Sequence, residues 1–217
     1  MLNTLIIILA AILLLALLYY ENRVNQKGLV LTKTALSLLF VIAVVVQPHP
    51  ISAYYYCLLA GLIFCLGGDI FLALRQKMMF LIGLIFFLVG HIFYIFGFFY
   101  VAQSSQWTWL GLLTVLVISV WIYFWLRPHV GSMNVPVVLY IIIITIMLSG
   151  AWSVLGDSSL AAPGRTMIFI GACSFYFSDI FVARDRFLRK GFLNRFIGLP
   201  MYYTGQFLLA FSVGLLK

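Results

Sequence analysis

The sequence predicts an all-α integral membrane protein, a bundle of eight transmembrane helices that forms a single transmembrane domain over residues 1–217. Two observations predict this class. Of the 217 residues, 65% are hydrophobic and only 8% are charged, which is more apolar surface than a water-soluble core of this size can bury. Apolar runs of about 20 residues, the length that crosses a bilayer as a helix, recur along the chain.

The predicted helices follow one another with short connections. They cover residues 2–20, 29–47, 52–74, 78–99, 108–126, 135–153, 164–184 and 197–216. His49 lies between two prolines and His129 follows Arg127-Pro128, and proline disfavours the helix interior. We therefore expect both histidines to lie in loops, away from any chemistry.

The basic residues predict how the chain is oriented. Eleven of the thirteen lie in, or just beyond, the four loops that follow helices 1, 3, 5 and 7: Arg23, Lys27, Lys33, Arg75, Lys77, Arg127, Arg184, Arg186, Arg189, Lys190 and Arg195. The other side of the membrane has Arg165 and Lys217. The positive-inside rule then places these loops in the cytoplasm and both termini outside, in a bacterial inner membrane or an intracellular membrane. The net charge of +8 indicates topology and contact with membrane lipids, and gives no reason to invoke nucleic acid.

Two aspartates lie within the apolar runs, in two copies of a similar sequence motif. Gly61 begins the segment that ends in Asp69-Ile-Phe-Leu-Ala, and Gly171 begins the segment that ends in Asp179-Ile-Phe-Val-Ala. An ionised carboxylate in hydrocarbon costs roughly 2.5–3.5 kcal/mol on insertion scales, so intramembrane acids are functional candidates. We predict Asp69 and Asp179 to be catalytic; the alternative is a structural bond to a neighbouring helix or to Lys33.

The repeated motif also predicts a duplication of four helices, with parallel repeats over residues 1–101 and 102–217. At a rise of 1.5 Å per residue, Asp69 lies about 9 Å and Asp179 about 7 Å to the cytoplasmic side of its helix centre. Other strongly polar side chains fall at or near this level, as a polar cavity open to the inner leaflet requires. These are the predicted substrate-binding residues: Lys33, His91, Tyr94, Tyr140, Tyr202, Tyr203 and Gln206.

Some of these residues have a structural interpretation as well. Lys33 is expected to be a counter-charge for the aspartates or a lysine whose long stem reaches the interface, with a substrate role as the alternative. His91 on an apolar helix is equally expected as a core residue. Gly83, Gly90 and Gly97 recur every seven residues, which predicts close packing of the fourth helix against a neighbour.

In order along the chain, five short motifs together resemble the YhhN-type lysoplasmalogenase family. They are Gly-Gly-Asp69, Gly83 to Tyr94 around Gly90-His91, Pro136-Val-Val-Leu-Tyr140, Ser178-Asp179, and Tyr202-Tyr203-Thr-Gly-Gln206. The resemblance implies eight helices and a hydrolase that cuts the vinyl ether bond of a lysophospholipid. The products would be a fatty aldehyde and glycerophosphoethanolamine or glycerophosphocholine. It also implies that Asp69 and Asp179 are the two signature aspartates.

The chemistry fits two carboxyl groups. Vinyl ether hydrolysis begins with protonation of the β-carbon and passes through an oxocarbenium ion that water captures. A neutral acid can supply the proton and an ionised partner can stabilise the cation, as in glycoside hydrolysis. The sequence leaves open which aspartate is the acid. His91 or a tyrosine is expected to orient the water, and Lys33 with Arg75 or Arg184 to bind the lipid phosphate.

Other classes of function remain open from the sequence. Intramembrane carboxylates in parallel repeats are also found in proton-coupled transporters of small molecules or lipids, which need a polar site open to both faces. A non-catalytic lipid-binding protein is the third alternative. No cofactor is expected, since the histidines, and the cysteines Cys57, Cys65 and Cys173, lack the spacing of a metal site.

Overall fold

A computed structural model describes residues 1–74 and 76–217 of the chain. In this part the chain forms eight α-helices and no β-strand: α1 (Leu2–Asn22), α2 (Gln26–Val45), α3 (Ser52–Ala73), α4 (Lys77–Val101), α5 (Gln106–Val130), α6 (Asn134–Gly156), α7 (Ala162–Ala183) and α8 (Phe192–Ser212). Short 3-10 turns follow α5 and α8, and a π-helical segment, Arg184–Leu188, follows α7. We call this last segment the π segment.

Seven helical segments of the described chain are long and apolar enough to cross a membrane. The number is seven because α5 and α6 are joined by a 3-10 turn without a break and form one helical stretch, Gln106–Gly156. Hydrogen bonds link Ser119 to Thr145 at 2.6 Å and Ser153 to Thr108 at 2.7 Å, so the two helices are antiparallel. A multi-pass helical bundle is therefore established, and the count of eight crossings stays a prediction.

Predicted boundaries differ most from the structure in α8 and α5. Helix α8 begins at Phe192 instead of residue 197. Helix α5 continues through Pro128 to Val130, so that His129 lies in its last turn and its predicted place in a loop is wrong. A proline near the C-terminus removes only one of the last helical hydrogen bonds, and the basic side chains of this turn favour the negative helix end. The helix ends at Gly131, whose φ of +50° suits glycine.

Six helices form a closed ring. In order around the ring they are α2, α3, α4, α6, α7 and α8, with α8 packed against α2 again. Helix α1 packs outside the ring on α2 and α8, and α5 packs outside on α6. Exchanging the first four helices for the last four preserves this order, as the repeats 1–101 and 102–217 predict. Whether the halves arose by duplication stays a prediction.

The predicted close packing of α4 is confirmed. A Cβ atom added to Gly83 would lie 2.0 Å from the side chain of Leu72, and one added to Gly97 would lie 3.1 Å from that of Leu58. At Gly90 it would lie 3.0 Å from the carbonyl oxygen of Gly61. All three glycines therefore face α3 and let the two helix backbones approach closely.

A matching contact joins α7 to α8. A Cβ atom added to Gly205 would lie 2.7 Å from the carbonyl oxygen of Gly171, as Gly90 approaches Gly61 in the first half. Residues of α3 thus correspond to residues of α7 that lie 110 positions later (61 to 171), and residues of α4 to residues of α8 that lie 115 later (90 to 205). By this correspondence Asp69 is equivalent to Asp179.

The end of the ring opposite the basic loops is filled by side chains. Tyr54, Leu58 and Phe98 are completely buried there. The hydroxyl of Tyr54 also makes a 2.8 Å hydrogen bond with that of Ser212. The other end of the ring, next to the basic loops, holds the cavities described below.

Candidate active site

Both intramembrane aspartates face one chamber. Its volume is about 110 Å³, enough for several water molecules. Helices α2 to α8 all contribute to its wall, which is largely apolar. Its polar members are Lys33, Asp69, Tyr140, Tyr176, Asp179, Asn194, Arg195 and Tyr202.

Asp69 is the more enclosed aspartate, with 1% of its surface exposed. Its Oδ1 lies 3.0 Å from the Nζ of Lys33, which is also buried. Its Oδ2 accepts hydrogen bonds from Ser37 Oγ at 2.5 Å and from Tyr202 OH at 2.6 Å. Both oxygens are therefore satisfied by groups on α2 and α8, which is what a buried carboxylate requires.

A second layer of polar groups supports these partners. Tyr203 OH lies 3.1 Å from Ser37 Oγ, and the Nε2 of Gln206 donates to Tyr202 OH at 3.1 Å. Tyr94 OH donates to Gln206 Oε1 at 2.8 Å. The network ties α2, α3, α4 and α8 together and fixes the orientation of the groups that touch Asp69.

Asp179 has a simpler environment. It is only partly buried, and among the described residues its carboxyl group has one hydrogen-bond partner, Tyr140 OH, at 2.7 Å from Oδ2. The same chamber wall includes Phe87 and Ile144, which cannot donate hydrogen bonds. The two aspartates thus share a chamber but differ in charge pairing.

The predicted site residues divide into two groups. Lys33, Tyr140 and Tyr202 line the chamber together with both aspartates. The remaining four, His91, Tyr94, Tyr203 and Gln206, are buried behind this wall.

His91 packs edge-on against three rings, those of Tyr94, Tyr140 and Phe175, with centroid distances of 6.1, 5.4 and 4.6 Å. Neither of its ring nitrogens reaches a well-aligned hydrogen-bond partner in the described part of the chain. The position of His91 behind Tyr140 suits a role in holding that tyrosine, rather than direct contact with a ligand.

Glycines beside Asp69 explain how its helix reaches the chamber. A Cβ atom added to Gly67 would lie 2.4 Å from the ring of Phe86, and one added to Gly68 would lie 2.7 Å from the ring of Phe87. The rings of α4 lie directly on the backbone of α3 at this level. The Gly-Gly-Asp sequence therefore combines close packing with a carboxyl group turned toward the ring interior.

Several residues of the site were not predicted from the sequence. Ser37 follows Lys33 by one helical turn, and this spacing, which places both on one face of α2, could have revealed it. Tyr176, Asn194 and Arg195 gave no comparable signal. Of the two arginines expected to bind phosphate, Arg184 does not line the chamber, and Arg75 lies outside the described residues.

The arrangement is that of a membrane-embedded helical bundle with a buried acidic site. In the described chain, no three His, Cys, Asp or Glu side chains come together as a metal-binding group. The model of the YhhN family matches residues 28–213, most of the chain, including both aspartates and their partners. The chain therefore belongs to the YhhN family. No curated protein and no solved structure matches the chain.

Proposed function

We propose that this protein hydrolyses the vinyl ether bond of lysoplasmalogens, releasing a fatty aldehyde and glycerophosphoethanolamine or glycerophosphocholine. The observation that carries the proposal is the unequal pairing of two aspartates in one chamber. Asp69 is ion-paired with Lys33, whereas Asp179 is held by a single tyrosine hydroxyl. One acid that keeps its proton beside one that stays charged is what vinyl ether hydrolysis needs.

The two surroundings assign a role to each aspartate. The ammonium group of Lys33 and the two hydroxyl donors stabilise Asp69 as a carboxylate. Asp179 has no basic partner among the described residues, and an apolar wall favours its neutral form. Asp179 is therefore the proton donor in this proposal, and Asp69 is the negative charge that stabilises the oxocarbenium ion.

The proposed reaction balances with these two groups and one water molecule. The Asp179 proton moves to the β-carbon of the vinyl ether, which makes the α-carbon an oxocarbenium ion. Water adds to this carbon and returns a proton to the Asp179 carboxylate. The hemiacetal then breaks its bond to the glycerol oxygen, which takes up the hydroxyl proton, and the aldehyde is released.

The position of the chamber supports an enzyme whose site opens to one face of the membrane, rather than a transporter. Its lining residues come from the halves of the helices next to the basic loops, and the opposite end is filled by buried aromatic and aliphatic side chains. A carrier must open its polar site to both faces. With the basic loops in the cytoplasm and both termini outside, a single-chain lipid would enter from the inner leaflet of a bacterial inner membrane or an intracellular membrane.

The test is aldehyde release by the purified protein. We expect aldehyde from lysoplasmalogen and none from the corresponding saturated-ether lysolipid. Asp69→Asn and Asp179→Asn should each lower kcat by about 10³-fold, in the range of general acid catalysis. The matched control is Asp157→Asn, which changes an aspartate whose side chain binds Ser159 in a loop outside the chamber, and it should retain activity. An inactive wild-type protein, or an active double variant, contradicts the proposal.

A further inference from the structure

A second cavity adjoins the chamber at the end of the bundle that carries the basic loops. Its volume is about 530 Å³, several times that of the chamber, and we call it the vestibule. Its wall is formed by the C-terminal end of α1, the π segment, the start of α8 and single residues of α3, α4 and α7. Five residues belong to both cavities: Leu72, Phe80, Val182, Phe187 and Arg195. A ligand that fills the vestibule therefore borders directly on the chamber.

The vestibule is charged where the chamber is apolar. Three basic residues, Arg186, Lys190 and Arg195, line it together with the acidic Glu21 and Asp185. An anionic group on an otherwise apolar ligand would thus meet three basic side chains in the vestibule, whereas the chamber beyond it is largely apolar and its Lys33 is already paired with Asp69. This polarity matches an amphiphile whose phosphate lies outside the chamber and whose chain lies within.

Two of the basic groups are held in place. The Nη2 of Arg195 donates to Asp185 Oδ2 at 2.9 Å, and Asp185 also accepts from the backbone of Gly191 at 3.0 Å. One arginine has five N–H donors, so this pair leaves others for a ligand. The guanidinium carbon of Arg186 lies 4.4 Å from the ring centroid of Phe80, a cation–π contact at the boundary between the two cavities.

The spacing along the chain agrees with one lipid that reaches both cavities. Arg186 follows Asp179 by seven residues, or about 10 Å along a helix axis. In a lysoplasmalogen, about seven covalent bonds separate the phosphorus from the β-carbon of the vinyl ether, or about 8 Å when extended. A phosphate at Arg186 would therefore place the reactive carbon at the level of Asp179.

We infer that the vestibule is the binding site for the phosphate of the substrate head group, with Arg186, Lys190 and Arg195 as its ligands. The inference rests on the proposed function for the identity of the lipid. It replaces the expected phosphate ligands Lys33 and Arg184: Lys33 is paired with Asp69, and Arg184 lines neither cavity. The phosphate then fixes the depth at which the chain enters the chamber.

The experiment measures binding, so that it does not depend on hydrolysis. The probes are a saturated-ether lysophosphatidylethanolamine and the matching alkylglycerol, which lacks the phosphate, each titrated into the purified full-length protein. We expect the wild type to bind the phospholipid at least tenfold more tightly. In Arg186→Gln/Lys190→Gln, the phospholipid affinity should fall about tenfold and the alkylglycerol affinity should not change.

The matched control is Arg189→Gln. Arg189 is an exposed basic residue between the two altered positions, and its side chain does not line the vestibule, so both affinities should equal those of the wild type. Equal losses for Arg189→Gln and the double variant would assign the effect to surface charge and overturn the inference. Parallel losses for both probes, or no loss for either, would also overturn it.

Competition distinguishes a head group from free phosphate. Glycerophosphoethanolamine should displace the phospholipid probe, whereas inorganic phosphate at the same concentration should not; the reverse result overturns the inference. The outcome is separable from the proposed function. A protein that shows this binding pattern but releases no aldehyde from lysoplasmalogen would contradict the hydrolase alone. Equal kcat/KM values for lysoplasmalogen and 1-alkenylglycerol would contradict the vestibule site alone.

Discussion

The two halves of the ring present the same acid in two different surroundings. Asp69 on α3 and Asp179 on α7 are equivalent by the glycine contacts that join each helix to the next. Asp69 forms an ion pair with a lysine and accepts hydrogen bonds from a serine and a tyrosine, whereas Asp179 accepts a hydrogen bond from one tyrosine among the described residues. Under the proposed function, the partners of each carboxyl group, and not its identity or depth, set its chemical role.

The equivalent positions show where the difference arises. Tyr202 of α8, which donates to Asp69, corresponds to Phe87 of α4 by the 115-residue offset of these helices. Tyr140 contacts Asp179 as Lys33 contacts Asp69, so the two residues occupy equivalent positions. One helical turn further along each helix, Ile144 is then equivalent to Ser37. In the second half, both extra donors are thus replaced by apolar side chains that line the chamber.

The largest expected contrast is in stability. Asp69→Asn should lower the free energy of unfolding by about 3–5 kcal/mol, because it leaves the buried Lys33 without its counter-charge. Asp179→Asn should cost about 1 kcal/mol, since it disturbs a single hydrogen bond. Detergent-denaturation titrations of the purified variants measure both values.

Lys33→Met/Asp69→Asn is the control for this contrast. It removes both charges of the pair and should recover part of the stability that Asp69→Asn loses. Equal losses in the two single asparagine variants would contradict the account of unequal pairing.

A smaller effect is expected from the glycine contacts that define the equivalence. Gly90→Ala and Gly205→Ala should each destabilise the protein by about 1–3 kcal/mol through overpacking. The loss should be larger for Gly205, whose added Cβ would lie 2.7 Å from a carbonyl oxygen rather than 3.0 Å. Gly191→Ala is the control in the same titration, because an added Cβ atom there would have no neighbour within 4 Å, and it should change stability by less than about 0.5 kcal/mol. Stable Gly90 and Gly205 variants would remove the basis for aligning the halves.

The smallest effect is expected from a change at Phe87, and it tests the role of Asp179 specifically. Phe87→Tyr places a hydroxyl at the position equivalent to Tyr202. By this equivalence, the new hydroxyl should donate to Asp179 and stabilise its ionised form. We expect kcat for aldehyde release to fall about tenfold, the effect of about 1.4 kcal/mol. Phe86→Tyr is the matched control, because Phe86 packs against Gly67 and Phe71 and does not line the chamber. Equal kcat values for the two variants would show that the surroundings of Asp179 do not set its role.

The sequence predicted the helical bundle and the members of the buried network other than Ser37, because polar residues stand out within apolar runs. Lys33 and Tyr140 were both predicted at the level of the aspartates, and the structure brings each of them to a carboxyl group. The unequal pairing was not predictable, since it depends on which side chains of distant helices reach each acid: Tyr202 donates to Asp69, whereas the equivalent residue, Phe87, has no donor. Such a contact is set by tertiary packing and leaves no local pattern.

The vestibule could not be predicted from the sequence either, because it too is formed by tertiary packing. Its walls come from the end of α1, the π segment and the start of α8, which are far apart in the chain. Apart from Arg184, which was expected to bind phosphate, the basic residues of the loop after α7 were interpreted only as a topology signal, which they share with every other basic loop. Only the fold distinguishes Arg186 and Lys190, which line a cavity, from Arg189, which does not.

The proposed function requires a protonated Asp179 and an ionised Asp69, and infrared difference spectroscopy measures this directly. In membranes at neutral pH, a protonated carboxyl group gives a C=O stretching band that a carboxylate lacks. We expect this band in the wild type and in Asp69→Asn, and its loss in Asp179→Asn. A band that persists in Asp179→Asn and disappears in Asp69→Asn, or a wild type without the band, would contradict the account.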